Sequence, residues 1–222
     1  MKKQIIAVLF LVTGIASTLT AQRKALTTEA IAKYFDPAFF GDPWKASRSS
    51  ALVEKNKPET EYEITKIEDH DLATAWVEGA AGAGIGEYVS VQIFCKDKII
   101  ANTDFKLQLR INNGFCKSEK LFKDNNRVKE ARITIYAVPI KTTDPGARVL
   151  DPGTIIIHEF EIDIADKREA QLFESKIKLL RDFSHAEDTR LFLQLTILDV
   201  YRGEKYDDTC ISELSITAGI DN

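Results

Sequence analysis

Two groups of predicted turns carry side chains of the kinds that hold sugars. Carbohydrate sites use planar amides, carboxylates and arginine for the hydroxyls, and an aromatic ring for the C–H face. The residues of these types are Asn113, Lys117, Asn126, Arg127, Tyr201, Lys205, Tyr206 and Asp207. Each residue taken singly has an ordinary alternative, because the same types also shape turns and solvated surfaces. The residue types alone leave both readings open.

Catalysis has little support elsewhere in the sequence. His70, His158 and His185 are the only histidines, and His158 lies in an alternating segment typical of a strand. No nucleophile elbow or HExxH metal motif accompanies them. The carboxylate pair at 207–208 has no identifiable partner for acid/base work. We therefore expect a protein that is not an enzyme, with a small periplasmic hydrolase as the least favoured alternative.

Strands are the elements that must position these residues. Apolar and polar residues alternate with period two after Glu59, which is typical of half-buried strands. The alternating segments are 88–95, 105–111, 133–135, 160–164, 191–197 and 212–216. Segment 165–180 breaks the rhythm and is predicted to be a loop with one helical turn. Because no βαβ alternation occurs, the pattern predicts an all-β antiparallel sandwich.

A glycine cluster precedes the first of these strands. Gly82, Gly84 and Gly86 superficially suggest a phosphate-binding loop. A strand follows the cluster and no Lys-Ser/Thr pair does, so the helix N-terminus that would hold a phosphate is missing. We predict a flexible loop crossing the sandwich, in a place where binding specificity often lies.

The N-terminal segment has the layout of a secretory signal peptide. Lys2 and Lys3 precede an apolar run at 5–12, and small residues lead to Ala21. The run is shorter than the ~20 residues of a membrane span, so we expect cleavage after Ala21 and a secreted or periplasmic protein. An uncleaved anchor is the alternative.

The sequence therefore divides into three predicted parts. Residues 1–21 are the signal peptide, and 22–58 are a helical and irregular extension with a surface connection at 45–58. Its short helix is predicted at 29–35. Residues 59–222 are the β-sandwich.

Composition and charge narrow the class of protein. The 222 residues include 30 Lys and Arg against 34 Asp and Glu, a net charge of -4 that becomes -6 without Lys2 and Lys3. A nucleic-acid binder would need a concentrated basic face, so the charge argues against that class. Cys95, Cys116 and Cys210 are expected to be small buried hydrophobes, with one disulfide and one free thiol as the alternative.

Three segments together carry a family resemblance. They are 69–88, then 111–117 with 125–129, and finally 198–214. In this order they resemble the discoidin-like glycan-binding domain of streptococcal NAD glycohydrolase toxins, over roughly Glu59 to Ile216. There the domain is the non-catalytic N-terminal part that serves host-cell binding and toxin translocation.

The resemblance implies a galactose-binding-like jelly-roll sandwich whose partner is a glycan or glycoconjugate. It selects the eight turn residues above as the glycan site. We also expect no nucleic-acid partner and no stable membrane insertion after signal cleavage. The alternative is a structural or protein–protein interaction domain of the bacterial cell envelope that has lost sugar binding and has an envelope protein as partner.

The same resemblance implies a structural calcium ion. Ca²⁺ takes six to eight oxygen ligands, and Asp69, Asp71 and Thr74 would supply side-chain oxygens, with Glu213 returning from the last strand. The alternative is that Asp and Thr only shape a turn. Trp76, just after this loop, is predicted to pack in the core.

Overall fold

The chain is an all-β protein. The structure is a computed structural model, and it describes residues 46–93, 104–142, 148–150, 155–178 and 188–220. Within these ranges it forms ten strands, a 3-10 helix at Ile64–Ile67 and one α-helix, α1, at Glu119–Asp124. The strands are β1 Ala46–Arg48, β2 Trp76–Val77, β3 Tyr88–Ile93, β4 Asp104–Asn113, β5 Asn126–Thr142, β6 Arg148–Leu150, β7 Ile155–Asp163, β8 Gln171–Lys178, β9 Asp188–Tyr201 and β10 Thr209–Ile220.

Three of the predictions lie outside the described residues. They are the signal peptide, the helix at 29–35 and the side chain of Cys95. Within the described residues, no helix is long and apolar enough to span a membrane.

Two antiparallel groups of strands make up the sandwich. In the first, β5 lies between β7 and β9, and the order continues through β3 to β1. In the second, β4 lies between β10 and β8, and β2 pairs with the start of β10. A short parallel contact between β5 and β10, with Thr209 opposite Asn126, joins the two groups. The short strand β6 extends the β5 hairpin.

Alternate residues of both groups point into one shared core. Val91, Ile133 and Leu193 come from the first group, and Ile111 and Leu214 come from the second; all five are fully buried. Burying a side chain of this size stabilises the fold by about 1.5–3 kcal/mol. The predicted period-two segments therefore supply the core as strands.

Trp76 and two cysteines are also buried, as predicted. The Trp76 indole is fully buried and its Nε1 donates to the carbonyl of Ser50 at 2.9 Å. Cys116 and Cys210 are free thiols in the interior. Burial raises the pKa of both thiols, which keeps them protonated and poorly reactive.

The prediction of a loop with a helical turn at 165–180 is wrong. Residues Gln171–Lys178 form β8 on the outer side of β4. The strand begins with an inverted pattern, since Gln171 is buried while Leu172 is 60% exposed. The Gln171 amide exchanges two hydrogen bonds of 2.9 Å with the backbone of Ala165. The alternation of apolar and polar residues does not reveal this strand, because the polar residue Gln171 faces inward to close a loop.

The sandwich also begins earlier than the predicted connection at 45–58 suggests. Strand β1 lies inside that segment and pairs with Val89–Val91 of β3. Arg48 forms an ion pair with Glu63, with Nε to Oε2 at 2.6 Å, which ties β1 to the 3-10 helix. A strand of three residues is too short to display an alternating pattern.

The glycine-rich loop closes over a buried carboxylate. Glu78 is fully buried and accepts two backbone N–H groups, at 2.7 and 3.3 Å. Gly84 has φ +66, and a Cβ there would lie 2.6 Å from the Glu78 Cδ. Burial above all, and then the carboxylates of Asp208 and Glu87, raise the pKa of Glu78 to about 7.

This carboxylate should make stability depend on pH. The pKa of Glu78 is raised from 4.5 to about 7. Its protonated side chain therefore stabilises the folded state fully below pH 4.5, and this stabilisation is lost as pH rises toward 7. We expect the unfolding free energy to fall by about 3 kcal/mol across this window. The substitution Glu78→Gln should flatten that slope, measured by denaturant unfolding at several pH values. Glu59→Gln, at an exposed site, is the control, and an unchanged slope in Glu78→Gln would contradict the prediction.

Candidate functional site

The loop before β2 is held in shape by its own acidic side chains. Asp69 Oδ1 accepts the N–H of Asp71 at 3.0 Å, and its Oδ2 accepts the hydroxyl of Thr74 at 2.8 Å. Asp71 Oδ1 in turn accepts the N–H of Ala73 at 2.8 Å. Between the two aspartates His70 has φ 61, a left-handed conformation that few non-glycine residues adopt. Asp69, Asp71 and Thr74 therefore shape the turn, which is the alternative role expected for Asp and Thr.

Glu213 reaches the same corner from β10. Its side chain is 12% exposed, and its Oε2 lies 4.0 Å from the Nδ1 of His70. The other oxygen, Oε1, is buried and has no hydrogen-bond partner. Burial first, and then the nearby Asp69 carboxylate, raise the pKa of Glu213 to about 6. The structure thus brings Glu213 beside Asp69, which holds the Thr74 hydroxyl, while the Asp71 side chain binds the backbone of its own loop.

This corner concentrates negative charge. Two neighbouring carboxylates, one with an unpartnered buried oxygen, leave negative charge that a bound cation would offset. Among the described residues, no three His, Cys, Asp or Glu side chains are grouped to hold a metal ion. The adjoining carboxylates are therefore Asp69 and Glu213 alone, and a cation here would also need hydroxyl and carbonyl oxygens, the ligands that Ca²⁺ takes.

A groove beginning at this corner runs along the outer face of β4. We call it the β4 groove. Its narrow end is a cavity of ≈ 270 Å³ lined by His70, Leu72, Arg110, Asn112, Glu213 and Ser215. Its wide end, of ≈ 710 Å³, shares Leu72, Arg110 and Asn112 and adds Glu119, Phe122 and the loop at 166–170. The volume of the wide end lies within the range of about 300–1,000 Å³ that is typical of small-molecule sites, and the narrow end falls just below it.

Strand register sets the floor of the β4 groove. Arg110 and Asn112 are two residues apart on β4 and share one face. Ser215 and Glu213 of β10 lie opposite them. On the other side, Leu172 of β8 lies opposite Arg110.

Hydrogen bonds hold the loop that walls the wide end. Asn112 Nδ2 donates to the Arg168 carbonyl at 3.2 Å, and Arg168 Nη2 donates to the Cys116 carbonyl at 2.8 Å. Arg168 Nη1 also lies 3.4 Å from Glu119 Oε2. The wall is therefore tied to both β4 and α1.

Three of the eight predicted glycan residues lie inside the fold. Asn113 and Asn126 are fully buried, and each amide bonds to backbone. Asn113 bridges the N–H and carbonyl of Val128 at 2.9 and 2.7 Å. Asn126 accepts the N–H of Gly203 at 2.7 Å and donates to the Asp207 carbonyl. These amides hold turns together.

Arg127, the third, is the hub beneath the β4 groove. Its guanidinium pairs with Asp166 through two contacts of 2.9 and 2.6 Å. Its Nη1 donates to the carbonyls of Asn125 and Arg202 at 2.9 and 3.0 Å. The charge also lies 5.2 Å from the centre of the Phe122 ring. Arg127 thereby positions Asp166 in the groove wall.

The other five lie at the surface and do not line the β4 groove. They are Lys117, Tyr201, Lys205, Tyr206 and Asp207, of which Tyr201 is partly buried. Lys205 Nζ lies 4.6 Å from the centre of the Tyr206 ring. The groove residues Leu72, Arg110, Asn112, Asp166 and Arg168 were not predicted. The only signal was their place on the polar face of a strand or in a loop, which resembles any solvated surface.

The family model described as the NAD glycohydrolase translocation F5/8 type C domain matches residues 40–217. No curated protein matches the chain.

Among solved structures, an F5/8 type C domain from Bacteroides fragilis is 11% identical with a TM-score of 0.36, over 77% of this chain and 88% of that one. The mycobacterial arabinofuranosyltransferase AftD is 13% identical with a TM-score of 0.39, over 77% of this chain. This chain spans about a tenth of that transferase, since the match covers 10% of it.

The family match extends across the sandwich, the acidic loop and the whole β4 groove. It begins before β1, in agreement with the strand pairing of residues 46–48. The chain therefore belongs to the NAD glycohydrolase translocation F5/8 type C domain family.

Proposed function

We propose that this protein is an exported, non-catalytic carbohydrate-binding module that holds its glycan in the β4 groove. F5/8 type C domains often bind carbohydrates or proteins. The observation that carries the proposal is the groove floor, where Arg110, Asn112 and Ser215 offer guanidinium, amide and hydroxyl groups beside the exposed side chain of Leu72. Polar groups that fix orientation beside an apolar surface are the usual composition of a ligand site.

The non-catalytic part of the proposal rests on the groove's own side chains. His70 and Ser215 line the same cavity, but the His70–Glu213 distance of 4.0 Å exceeds a hydrogen bond. Among the described residues, Ser215 donates no hydrogen bond to His70. Elsewhere Ser175 Oγ lies 3.3 Å from His158 Nε2, and that ring packs beside Phe160 rather than a carboxylate.

The surface pair Lys205 and Tyr206 is the second location in which the glycan could lie. Tyr206 is 39% exposed and belongs to the set chosen from the sequence. The experiment therefore compares the two places directly.

Thermal unfolding across a panel of soluble glycans tests the function. The protein used is the full mature chain, 22–222, and a bound glycan should raise its midpoint by mass action. We expect Leu72→Ala to abolish the shift while leaving the midpoint without glycan unchanged, because Leu72 is exposed. Tyr206→Ala should leave the shift intact. No shift with any glycan would contradict the function, and loss only in Tyr206→Ala would move the site to the surface pair.

We also propose that Asp69, Thr74 and Glu213 hold a structural Ca²⁺ together with backbone carbonyl oxygens, whereas Asp71, the fourth residue expected from the sequence, shapes the loop through the N–H of Ala73. The unpartnered oxygen of Glu213 beside Asp69 supports this assignment. The ion would neutralise the corner and fix the loop that carries Leu72 and His70 into the groove.

Calcium should therefore stabilise the protein. At a hundredfold excess over Kd, we expect a gain of about 2.7 kcal/mol in unfolding free energy, which EDTA reverses. Glu213→Gln should remove the gain, whereas Glu169→Gln in the groove wall should keep it. Thermal unfolding with EDTA, calcium and magnesium measures this, and an equal response in wild type and Glu213→Gln would contradict the assignment.

A further inference from the structure

We propose that Arg110 recognises a carboxylate on the bound sugar, so that the protein selects acidic glycans containing a uronic or sialic acid residue. The inference rests on the proposed function, and it adds the chemical class of the ligand.

Arg110 is the basic residue that lines both cavities of the β4 groove. It is exposed, and among the described residues no ion pair or hydrogen bond engages its guanidinium. The neighbouring arginines differ, since Arg127 is bound to Asp166 and Arg168 to Glu119 and the Cys116 carbonyl. Arg110 is therefore the guanidinium available to a ligand.

The surroundings of Arg110 suit a sugar ring. The register places Ser215 on one side of it and Leu172 on the other. Leu172 is 60% exposed and Leu72 is 44% exposed. A sugar that pairs its carboxylate with Arg110 would rest its C–H groups on these leucines and turn its hydroxyls toward Ser215 and Asn112.

The charge balance favours a singly charged, planar group. A guanidinium fork matches a carboxylate through two parallel hydrogen bonds. A phosphate monoester would bring about −1.5 to −2 charges against one unpaired guanidinium, with the Glu213 carboxylate in the same cavity. At the wide end Lys167 and Glu169 contribute one charge of each sign. Arg110 is thus the guanidinium on the groove floor that has no ion-pair partner among the described residues, and Glu213 is the carboxylate of the same cavity.

Matched ligands test the inference on the full mature chain. Titration calorimetry would compare a uronate-containing oligosaccharide with its methyl ester, and sialyllactose with lactose. We expect at least one acid to bind about tenfold or more tightly than its neutral partner, because a charge-assisted hydrogen bond is lost. Arg110→Gln should remove that preference and Arg110→Lys should keep part of it. Arg132→Gln, which breaks an exposed pair with Glu161, should leave it unchanged.

The outcomes separate the two proposals. Equal binding of acid and neutral partners, or an acid preference that survives in a folded Arg110→Gln variant, would overturn the inference while the binding function stands. Tight binding of a sulfated glycan with no response to carboxylates would overturn the carboxylate assignment. Binding of no glycan at all would overturn the proposed function itself.

Discussion

Replacing Arg127 by methionine should lower the unfolding free energy by about 3 kcal/mol. The change removes a buried cation and leaves the Asn125 and Arg202 carbonyls without their donor. Breaking a buried ion pair by removing one partner typically costs 3–5 kcal/mol, and the lower end applies because Asp166 is 36% exposed. Denaturant unfolding measures the loss. The β4 groove should also lose its shape, because Asp166 lines its wall.

Arg132→Met is the matched control for this substitution. Arg132 also forms an ion pair from β5, with Glu161 at 2.9 Å, but that carboxylate is 50% exposed. Exposed pairs contribute about 0–1 kcal/mol. If the two methionine variants lost equal stability, the buried contacts of Arg127 would contribute no more than the exposed ion pair of Arg132, which would contradict the prediction.

Replacing Gly114 by alanine should cost about 2–5 kcal/mol. Gly114 has φ +78, and a Cβ there would lie 2.5 Å from Arg127 Cγ and 2.9 Å from the Phe122 ring. The left-handed conformation costs an alanine about 1–2 kcal/mol, and overpacking adds about 1–3 kcal/mol. The Arg127 side chain has little room to move away from the added methyl group, because its guanidinium is held by Asp166 and by two backbone carbonyls. Thermal and denaturant unfolding both report the loss.

Gly82→Ala separates strain from crowding. Gly82 has φ +91, yet nothing lies within 4 Å of a Cβ at that position. It should therefore show the conformational cost alone, about 1–2 kcal/mol. A Gly114→Ala variant no less stable than Gly82→Ala would show that the core beneath the groove adapts to an added methyl group.

The sequence predicts the sandwich well where one face of a strand is apolar. Segment 105–111 alternates cleanly and lies in β4, with Leu107, Leu109 and Ile111 buried. Strand β8 was missed because Gln171 faces inward to close a loop, and β1 because it has three residues. Alternation reports burial, so it fails where a polar side chain is buried for its hydrogen bonds.

The candidate site is less predictable for a related reason. The family resemblance selected Asp69 and Glu213, and these residues do lie beside each other across 144 positions of sequence. It also selected Asn113 and Asn126, whose amides bind backbone inside the fold. An amide that serves a turn and one that faces a ligand have the same residue type, and only the tertiary structure distinguishes them.

The position of β10 has a consequence for biosynthesis. This strand pairs with β2, β4 and β5, and the N–H of Thr209 reaches Glu78 across 131 residues. The ribosome synthesises β2 and β4 long before β10. The edges of β2 and β4 that pair with β10 therefore stay unpaired in the nascent chain until residue 220 has been synthesised. Such long-range pairing also slows folding. The sandwich can therefore close only after β10 has been synthesised, and until then the earlier strands must avoid pairing with other chains.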